Sequence, residues 1–373
     1  MIIQPKYLAL DTSQWVRIID NGLSASPNKR KQIKRFKEWL IETGQVPVVT
    51  LHHLQEIAAH ENGPKARQRI NFLSQMEVIA WLKSAKSQDI PGSIVDLQSR
   101  EVQAALSNPN ANALEIVKMA KEEIFAFGSG TSATKWCLDY WPYFWDSAVT
   151  NSRKAQETAS IARSSYLGIE DTTLSSWASG KVHTIENSEK ILTHLENMLA
   201  LDLATNGDER LPQTKDVSEC FFSKIRENVL SADFSENPTQ EILKLMGLKL
   251  ADLDPNLTLG EIGNMVVFNA KLKVICQNLG VNFASVKHLV DEEKLPSQII
   301  QQSVVKFRQK PKRERGSDLV DVYLLALSPY VERTFVDKRT YENCRRAKAK
   351  SQKFADVIGA IEKVTHYEDL MAN

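Results

Sequence analysis

The chain has little cysteine and no long apolar run, and both shortages restrict what the protein can be. Its four cysteines are widely spaced and form no Cys-x-x-Cys pair, which argues against a zinc knuckle and against a disulfide framework. No apolar stretch approaches the roughly 18 residues that a membrane-spanning helix needs. The first residues lead directly into an apolar segment, without the basic region of a secretory signal. We therefore expect a cytoplasmic protein with no membrane partner.

Net charge and internal repeats are lacking as well. The formal charge is +1, so the composition as a whole gives no argument for a polyanionic partner. The chain shows no repeat of fixed period, which disfavours a helical solenoid. Hydrophobic residues make up 42% and charged residues 25% of the 373 residues. This composition is typical of an ordinary globular protein, and the length is enough for two domains.

Short apolar segments alternate with helical periodicity at the start of the chain. YLALD at 7–11, VPVVT at 46–50 and MEVIAWL at 76–82 are typical of short buried strands, and amphipathic segments separate them. Gly44 is placed to end the helix before the second strand, and Thr50 is placed to cap the helix after it. This β-α-β-α-β alternation predicts a parallel sheet with helices on its faces.

The middle of the chain has a different pattern from its two ends. Nearly every segment there has helical periodicity, including residues 112–127, and strand signals are few. Strand and helix then alternate again, with a buried helix in SDLVDVYLLAL and a strand in TFVD. We predict a catalytic domain formed by residues 1–100 and 306–373, interrupted by a mainly α-helical insertion at 101–305.

Acidic residues follow the predicted strands or lie near the starts of the predicted helices. Asp11 follows the first strand and Asp337 follows TFV, so both reach the edge where parallel α/β sheets bind ligands. Glu56 lies early in the helix after VPVVT, and Asp318 and Asp321 share one face of a later helix. Converging carboxylates repel one another unless a cation such as Mg²⁺ or Mn²⁺ lies between them. The usual chemistry of such a site is metal-assisted attack on a phosphodiester.

Each acid taken alone is better explained as a helix cap or a solvated charge. Asp318 follows Ser317 and is placed to stabilise a helix start. Asp321 is harder to explain in this way, because apolar residues flank it and a charge among them needs a partner. The occurrence of all the acids in one chain is what favours a metal site.

In order and spacing, LALDTS, TLHHLQE and SDLVDVYLLALSPYVERTFVDK resemble the PIN-domain nuclease family. The resemblance covers the two ends of the chain and leaves out the helical middle. It implies a PIN-like, Rossmann-like α/β fold, with a parallel sheet flanked by helices, and one or two bound Mg²⁺ or Mn²⁺ ions that activate water. The metal ligands that the resemblance implies are Asp11, Glu56, Asp318, Asp321 and Asp337. It also implies a catalytic role for all of these residues except Asp318.

The resemblance implies an endoribonuclease that hydrolyses single-stranded RNA, with a toxin or phage-defence effector as its biological setting. One alternative stays open in which the protein is a catalytically inactive PIN-like scaffold whose helical insertion binds a protein partner. Another takes Asp11 as the aspartyl nucleophile of a phosphotransferase, although Ser13 stands where that motif has its second acid. Assembly into a homo-oligomer is also left open.

Basic segments and histidines accompany the acids. NKRKQIKRFK at 28–37 fits either a solvated helix face or nucleic-acid contact. KFRQKPKRER at 306–315 lies beside the acid pair, which favours contact with a nucleic-acid backbone. His52, Glu56 and His60 fall at i, i+4 and i+8, and the histidines are expected to be exposed neighbours of the acid. The residues predicted to bind nucleic acid are Lys306, Arg308, Lys310, Lys312, Arg313, Arg315, Ser13 and Lys338.

Overall fold

The structure is a computed structural model that describes residues 5–87, 89–163, 171–179, 185–211, 213–230, 238–309 and 317–372. The chain divides into two compact units. One lies within 1–153, 273–310 and 317–373, and the other within 154–272.

The first unit is built on a sheet that confirms the predicted α/β class. Its strands are β1 Lys6–Leu10, β2 Gln45–Val49, β3 Ile79–Leu82, β4 Phe125–Gly128, β5 Arg333–Val336 and β6 Ile361–Lys363. They form one six-stranded sheet in the order β4-β3-β2-β1-β5-β6. All neighbouring pairs are parallel except β3 and β4, which are antiparallel.

Helices account for most of the remaining described residues. The α-helices are α1 Thr12–Gly22, α2 Pro27–Thr43, α3 Leu51–Ala58, α4 Gly63–Ser74, α5 Ile94–Ser107, α6 Ala113–Lys121, α7 Gly130–Asp139, α8 Trp141–Arg163, α9 Leu174–Ser179, α10 Ile185–Asn206, α11 Thr214–Leu230, α12 Pro238–Leu245, α13 Leu259–Leu279, α14 Phe283–Lys287, α15 Pro296–Phe307, α16 Ser317–Leu325, α17 Lys338–Lys350 and α18 Gln352–Val357. Short 3₁₀ helices lie at Leu250–Asp252, Ser328–Tyr330 and Tyr367–Ala372. Within the described ranges, no helix combines the length and the apolar character that crossing a bilayer requires.

The strands of the first unit alternate their side chains between two helical layers. Leu8 and Leu10 of β1 join a large apolar cluster, whereas Ala9 between them is buried outside that cluster. Helices α1 to α4 and α7 pack with one another and supply side chains to this cluster. Helices α5, α6, α15, α17 and α18 form a second packed group. The sheet is therefore flanked by helices.

The second unit is helical in its described part. Leu199 and Phe222 belong to an apolar cluster formed by α10 and α11. Leu174 and Leu243 belong to another cluster, which also includes residues of α13. These clusters bury the apolar faces that the helical periodicity of this segment predicted.

The boundaries between the units differ from the predicted insertion at 101–305. Residues 101–153 and 273–305 belong to the unit that contains the sheet. Glu101 of α5 is fully buried and accepts hydrogen bonds from Ser297 Oγ at 2.6 Å and from Tyr330 Oη at 2.7 Å. These bonds join α5 to segments that follow the second unit in the chain, which helical periodicity could not reveal.

The segment at 112–127 was predicted to be wholly helical, and this prediction is wrong at its end. α6 stops at Lys121, and β4 begins at Phe125 and pairs with β3. Phe125 and Phe127 lie on the same face of β4, and Phe125 is buried whereas Phe127 is 63% exposed, so only part of that face is covered. The helix boundaries around β2 are confirmed: Gly44 ends α2 with a φ of 66°, and Thr50 Oγ1 caps α3 by accepting from His53 N–H.

Candidate active site at the carboxyl edge of the sheet

Asp11 ends β1 and caps α1. Its Oδ1 accepts a hydrogen bond from Ser13 N–H at 2.6 Å, and its own N–H donates to the carbonyl of Phe335 at 3.1 Å. The residue is only 7% exposed. Burial raises the pKa of Asp11 and the charge of Asp337 raises it further, whereas hydrogen bonds from Ser13 and the charge of Arg17 lower it. The Asp337 carboxylate is therefore close enough for its charge to disfavour ionisation of Asp11.

Asp337 occupies the equivalent position on the neighbouring strand. It follows β5 directly and caps α17, with its Oδ1 accepting from Thr340 N–H at 2.6 Å. β1 and β5 are parallel, with Leu10 aligned with Phe335. Asp11 and Asp337 thus lie at adjacent carboxyl ends of the sheet, which is where the strand pattern placed them.

Glu56 reaches the same edge through Thr12. Thr12 Oγ1 donates to Glu56 Oε2 at 2.6 Å, and both side chains are partly buried. Because Thr12 follows Asp11 in the chain, this bond fixes α3 beside the end of β1. Thr12 was not among the predicted site residues, and its position directly after Asp11 is the only signal for it in the sequence.

Asp321 lies beside the first turn of α17. Arg339 Nη2 is 3.7 Å from Asp321 Oδ2, and Arg339 is only two residues from Asp337. Other residues of α16 line a small cavity together with Thr50 and His53. α16 therefore contacts both the start of α3 and the start of α17 at the carboxyl edge.

The described carboxylates do not form a ready-made metal cage. Among the side chains that the structure describes, no group of three or more His, Cys, Asp and Glu residues is arranged to hold a metal ion. The side chain of Asp318 lies outside the described residues. Mg²⁺ is commonly held by only one or two protein carboxylates and keeps several waters. The pair of Asp11 and Asp337 fits that smaller requirement.

His53 holds the strand ends that carry these acids, and the sequence analysis missed it. The side chain is 2% exposed, and its Nδ1 accepts from Thr50 N–H at 3.0 Å. Nε2 therefore carries the proton and donates to the carbonyl of Leu10 at 3.1 Å. Burial and the charge of the neighbouring His52 lower the pKa of His53 to about 4, although its hydrogen bond to the Leu10 carbonyl raises it. Its position three residues after a capping threonine, where Glu or Gln is usual, was the available signal.

The other two histidines are not the exposed neighbours that we expected. His52 is partly buried, with its ring centroid 5.0 Å from that of Tyr323. Burial lowers the pKa of His52 to about 4. His60 lies beyond the end of α3 and is also partly buried, so it does not continue the helix face of Glu56.

The predicted nucleic-acid contacts lie in two places. Ser13 and Lys338 are exposed in the first turns of α1 and α17, beside the capping acids. Lys306 is exposed at the end of α15, and Arg308 follows it with partial exposure. The predicted contacts that lie outside the described residues are Lys310, Lys312, Arg313 and Arg315.

The edge of the sheet therefore combines buried and partly buried carboxylates with exposed cations. Such an arrangement can bind a divalent cation and an anionic ligand at neighbouring points. Comparison of the chain with protein-family models, with curated proteins and with solved structures gives no significant match.

Proposed function

We propose that the protein is a cytoplasmic, metal-dependent nuclease with a PIN-like catalytic unit, and that it hydrolyses phosphodiester bonds of single-stranded RNA. The observation that carries the proposal is the pairing of Asp11 and Asp337 at adjacent strand ends. Burial and the nearby charge of Asp337 both oppose ionisation of Asp11 and raise its pKa. A divalent cation held by these acids would offset that repulsion, which supports a binding site here.

Asp11 and Asp337 would hold Mg²⁺ or Mn²⁺, which supplies a bound water of lowered pKa and neutralises charge on the phosphoryl group. Each of these acids also uses one oxygen as a helix cap, which fixes its orientation. We assign proton acceptance from the attacking water to Glu56, because Thr12 holds its carboxylate at the same edge. Asp321 supports the site, with Arg339 beside it.

RNA as the substrate and a toxin or phage-defence setting follow from the resemblance of the acid motifs to PIN-domain nucleases. The exposed cations Arg17, Lys338 and Arg339 support a polyanionic substrate, since they lie near the acids. A protein partner for the helical unit and a homo-oligomer remain predictions.

The test is cleavage of labelled single-stranded RNA and DNA by the purified full chain in Mn²⁺. We expect Asp11→Asn and Asp337→Asn each to lower the rate by about 100-fold or more, and a chelator to abolish cleavage. Asp139→Asn, at an exposed acid in α7, is the matched control and should cleave like the wild type. Equal activity in the wild type and the three variants would show a contaminating nuclease and would contradict the proposal.

An inactive scaffold is the second candidate, and one observation favours it. Asp11 and Asp337 already serve as helix caps, and Arg339 already supplies a positive charge next to Asp321. In that case the acids stabilise helix starts and need no metal. Absence of cleavage by the wild type in Mg²⁺ and Mn²⁺, with no thermal shift by either ion, would select this candidate.

A further inference from the structure

A basic stripe runs along one side of α17. Arg339, Arg346 and Lys350 recur at i, i+7 and i+11, which places them in one narrow sector of the helix. A sector about 90° from it around the helix is buried, through Thr340 and Ala347. We call the three cations the α17 stripe. Over eleven residues the stripe extends about 16 Å along the helix axis.

One end of the α17 stripe lies at the candidate active site, where Arg339 is 3.7 Å from Asp321. The other end reaches the end of α15, where Lys350 Nζ is 5.8 Å from the centroid of the Phe307 ring. Lys306 Nζ is also 5.8 Å from that ring. Lys306 thus extends the stripe away from the acids, although it comes from a distant part of the sequence.

The stripe lies on a fixed surface and not on a loop. α17 packs against α15 and α18. Arg346 Nη2 donates to Gln309 Oε1 at 3.0 Å, and Gln309 N–H donates to Asn343 Oδ1 at 3.3 Å. These bonds hold the end of α15 against the middle of α17, so the spacing of the cations is set by the fold.

Arg339 is paired with Asp321, so the less neutralised charge of the stripe lies at its α15 end. α17 carries six basic residues and one acid, Glu342, which pairs with Arg345 on another side of the helix at 2.9 Å. Lys306 and Lys350 have no carboxylate within 4.0 Å among the described residues. Adjacent cations repel one another, and a chain of phosphates relieves that repulsion by releasing counterions.

We propose that the α17 stripe, extended by Lys306, binds the sugar–phosphate backbone of single-stranded RNA and guides it to the acids. Arginine guanidinium groups match phosphate geometry in two-bond contacts, and lysines add point charges. The partly exposed ring of Phe307 between two lysines offers a stacking face for an unpaired base, which favours a single strand over a duplex. The choice of RNA rests on the proposed function, whereas binding to the stripe does not require cleavage.

The test measures the affinity of the full chain for a short fluorescein-labelled single-stranded RNA. Fluorescence anisotropy reports the binding, and a chelator is present so that no cleavage occurs. Arg346→Ala with Lys350→Ala removes two cations of the stripe. Arg345→Ala with Lys348→Ala removes two cations from another side of the same helix and is the matched control. Circular dichroism and thermal unfolding establish that both double variants fold.

We expect the stripe double variant to bind roughly 10- to 30-fold more weakly near 0.1 M salt, and its salt slope to fall by about 1.4, since each phosphate contact contributes about 0.7 for a single strand. The control double variant should stay within about threefold of the wild type. Equal losses in the two double variants would show diffuse attraction and overturn the proposal. Tighter binding to phosphatidylserine vesicles than to RNA would identify a membrane surface and would also overturn it.

Cleavage in Mn²⁺, measured on the same proteins, separates this proposal from the proposed function. If RNA binding depends on the stripe but the wild type cleaves no RNA, the nuclease proposal fails and the stripe proposal stands. If the stripe double variant cleaves and binds RNA as well as the wild type does, the stripe proposal fails and the nuclease proposal stands.

Discussion

His53 Nε2 donates to the carbonyl oxygen of Leu10 across 3.1 Å, so a buried side chain of α3 fixes the backbone directly before Asp11. The other ring nitrogen accepts from Thr50 N–H at the end of β2. One uncharged imidazole thereby bridges the carboxyl ends of two neighbouring strands. The strand ends that carry the candidate site are held by this ring as well as by the sheet.

We expect His53→Ala to lower the free energy of unfolding by about 2–4 kcal/mol, because it leaves the Leu10 carbonyl and the Thr50 N–H buried without partners and opens a cavity. Urea unfolding measures the loss. His60→Ala is the control and should cost about 1 kcal/mol or less, since His60 is partly exposed outside α3. Equal costs for the two variants would contradict the bridging role.

Glu101 should make the protein less stable as the pH rises. Burial raises its pKa from 4.5 to about 7, although Ser297 and Tyr330 donate hydrogen bonds that lower it. Between these two pH values the folded state holds more protons than the unfolded state. The stabilising contribution is therefore complete below about pH 4.5 and is lost as the pH rises through about 7.

Glu101→Gln keeps the shape and an oxygen that accepts from Ser297 N–H and Tyr330 Oη, its amide nitrogen donates to Ser297 Oγ, and the titrating group is removed. Urea unfolding of both proteins at a series of pH values from 5 to 8 should show the variant gaining stability relative to the wild type as the pH rises. His52 and His53 act in the opposite direction at acid pH, but they are present in both proteins and cancel in the comparison. If the free energies of unfolding of the two proteins change in parallel with pH, Glu101 is not a buried carboxyl with a raised pKa.

Asp11 should be a residue whose charge costs stability. Asp11→Asn keeps the oxygen that accepts from Ser13 N–H and removes the repulsion by Asp337, so we expect it to be as stable as the wild type or more stable by up to about 1 kcal/mol. Asp11→Ala loses the cap and should be less stable by about 1 kcal/mol. Millimolar Mg²⁺ should raise the melting temperature of the wild type and leave that of Asp11→Asn unchanged. Destabilisation by the Asn variant would show that the charge itself supports the fold.

Gly130 should not tolerate a side chain. It begins α7 and donates its N–H to the carbonyl of Met76 at 2.8 Å, and a Cβ there would collide with the carbonyl oxygen of Leu73 at the end of α4. Gly130→Ala should cost roughly 1–3 kcal/mol in thermal unfolding because α4 and α7 must separate. Gly263→Ala in α13 meets no atom within 4 Å and should stabilise its helix by about 0.5–1 kcal/mol. Similar effects at the two glycines would show that α4 and α7 are not closely packed.

The parts of the fold that sequence patterns predicted are the ones set by short-range chemistry. β1, β2, β3 and β5 are apolar runs with clear ends, and Gly44 and Thr50 mark helix boundaries by their own conformational preferences. β4 was not predicted from the sequence, because its four residues at the sheet edge acquire their structure from pairing with β3. This pairing overrides a helical periodicity that continues from α6. The boundaries between the two units were not predicted correctly, because they depend on long-range hydrogen bonds such as those that Glu101 accepts.

For the candidate site, the acids themselves were predictable and their partners were not. Asp11 and Asp337 follow strands, so parallel topology alone brings them to one edge. Thr12, His53 and Arg339 contribute through single hydrogen bonds or ion pairs whose partners are distant in sequence. No local pattern encodes which of many threonines or arginines will make such a contact.

The pairing of β1 with β5 also has a consequence for biosynthesis. Asp11 emerges from the ribosome more than 300 residues before Asp337, and the sheet cannot close over β1 before β5 is available. Contacts of such long range form late and slowly. A chain synthesised only as far as β4 therefore carries Asp11 without Asp337, and the paired strand ends that define the candidate site do not yet exist.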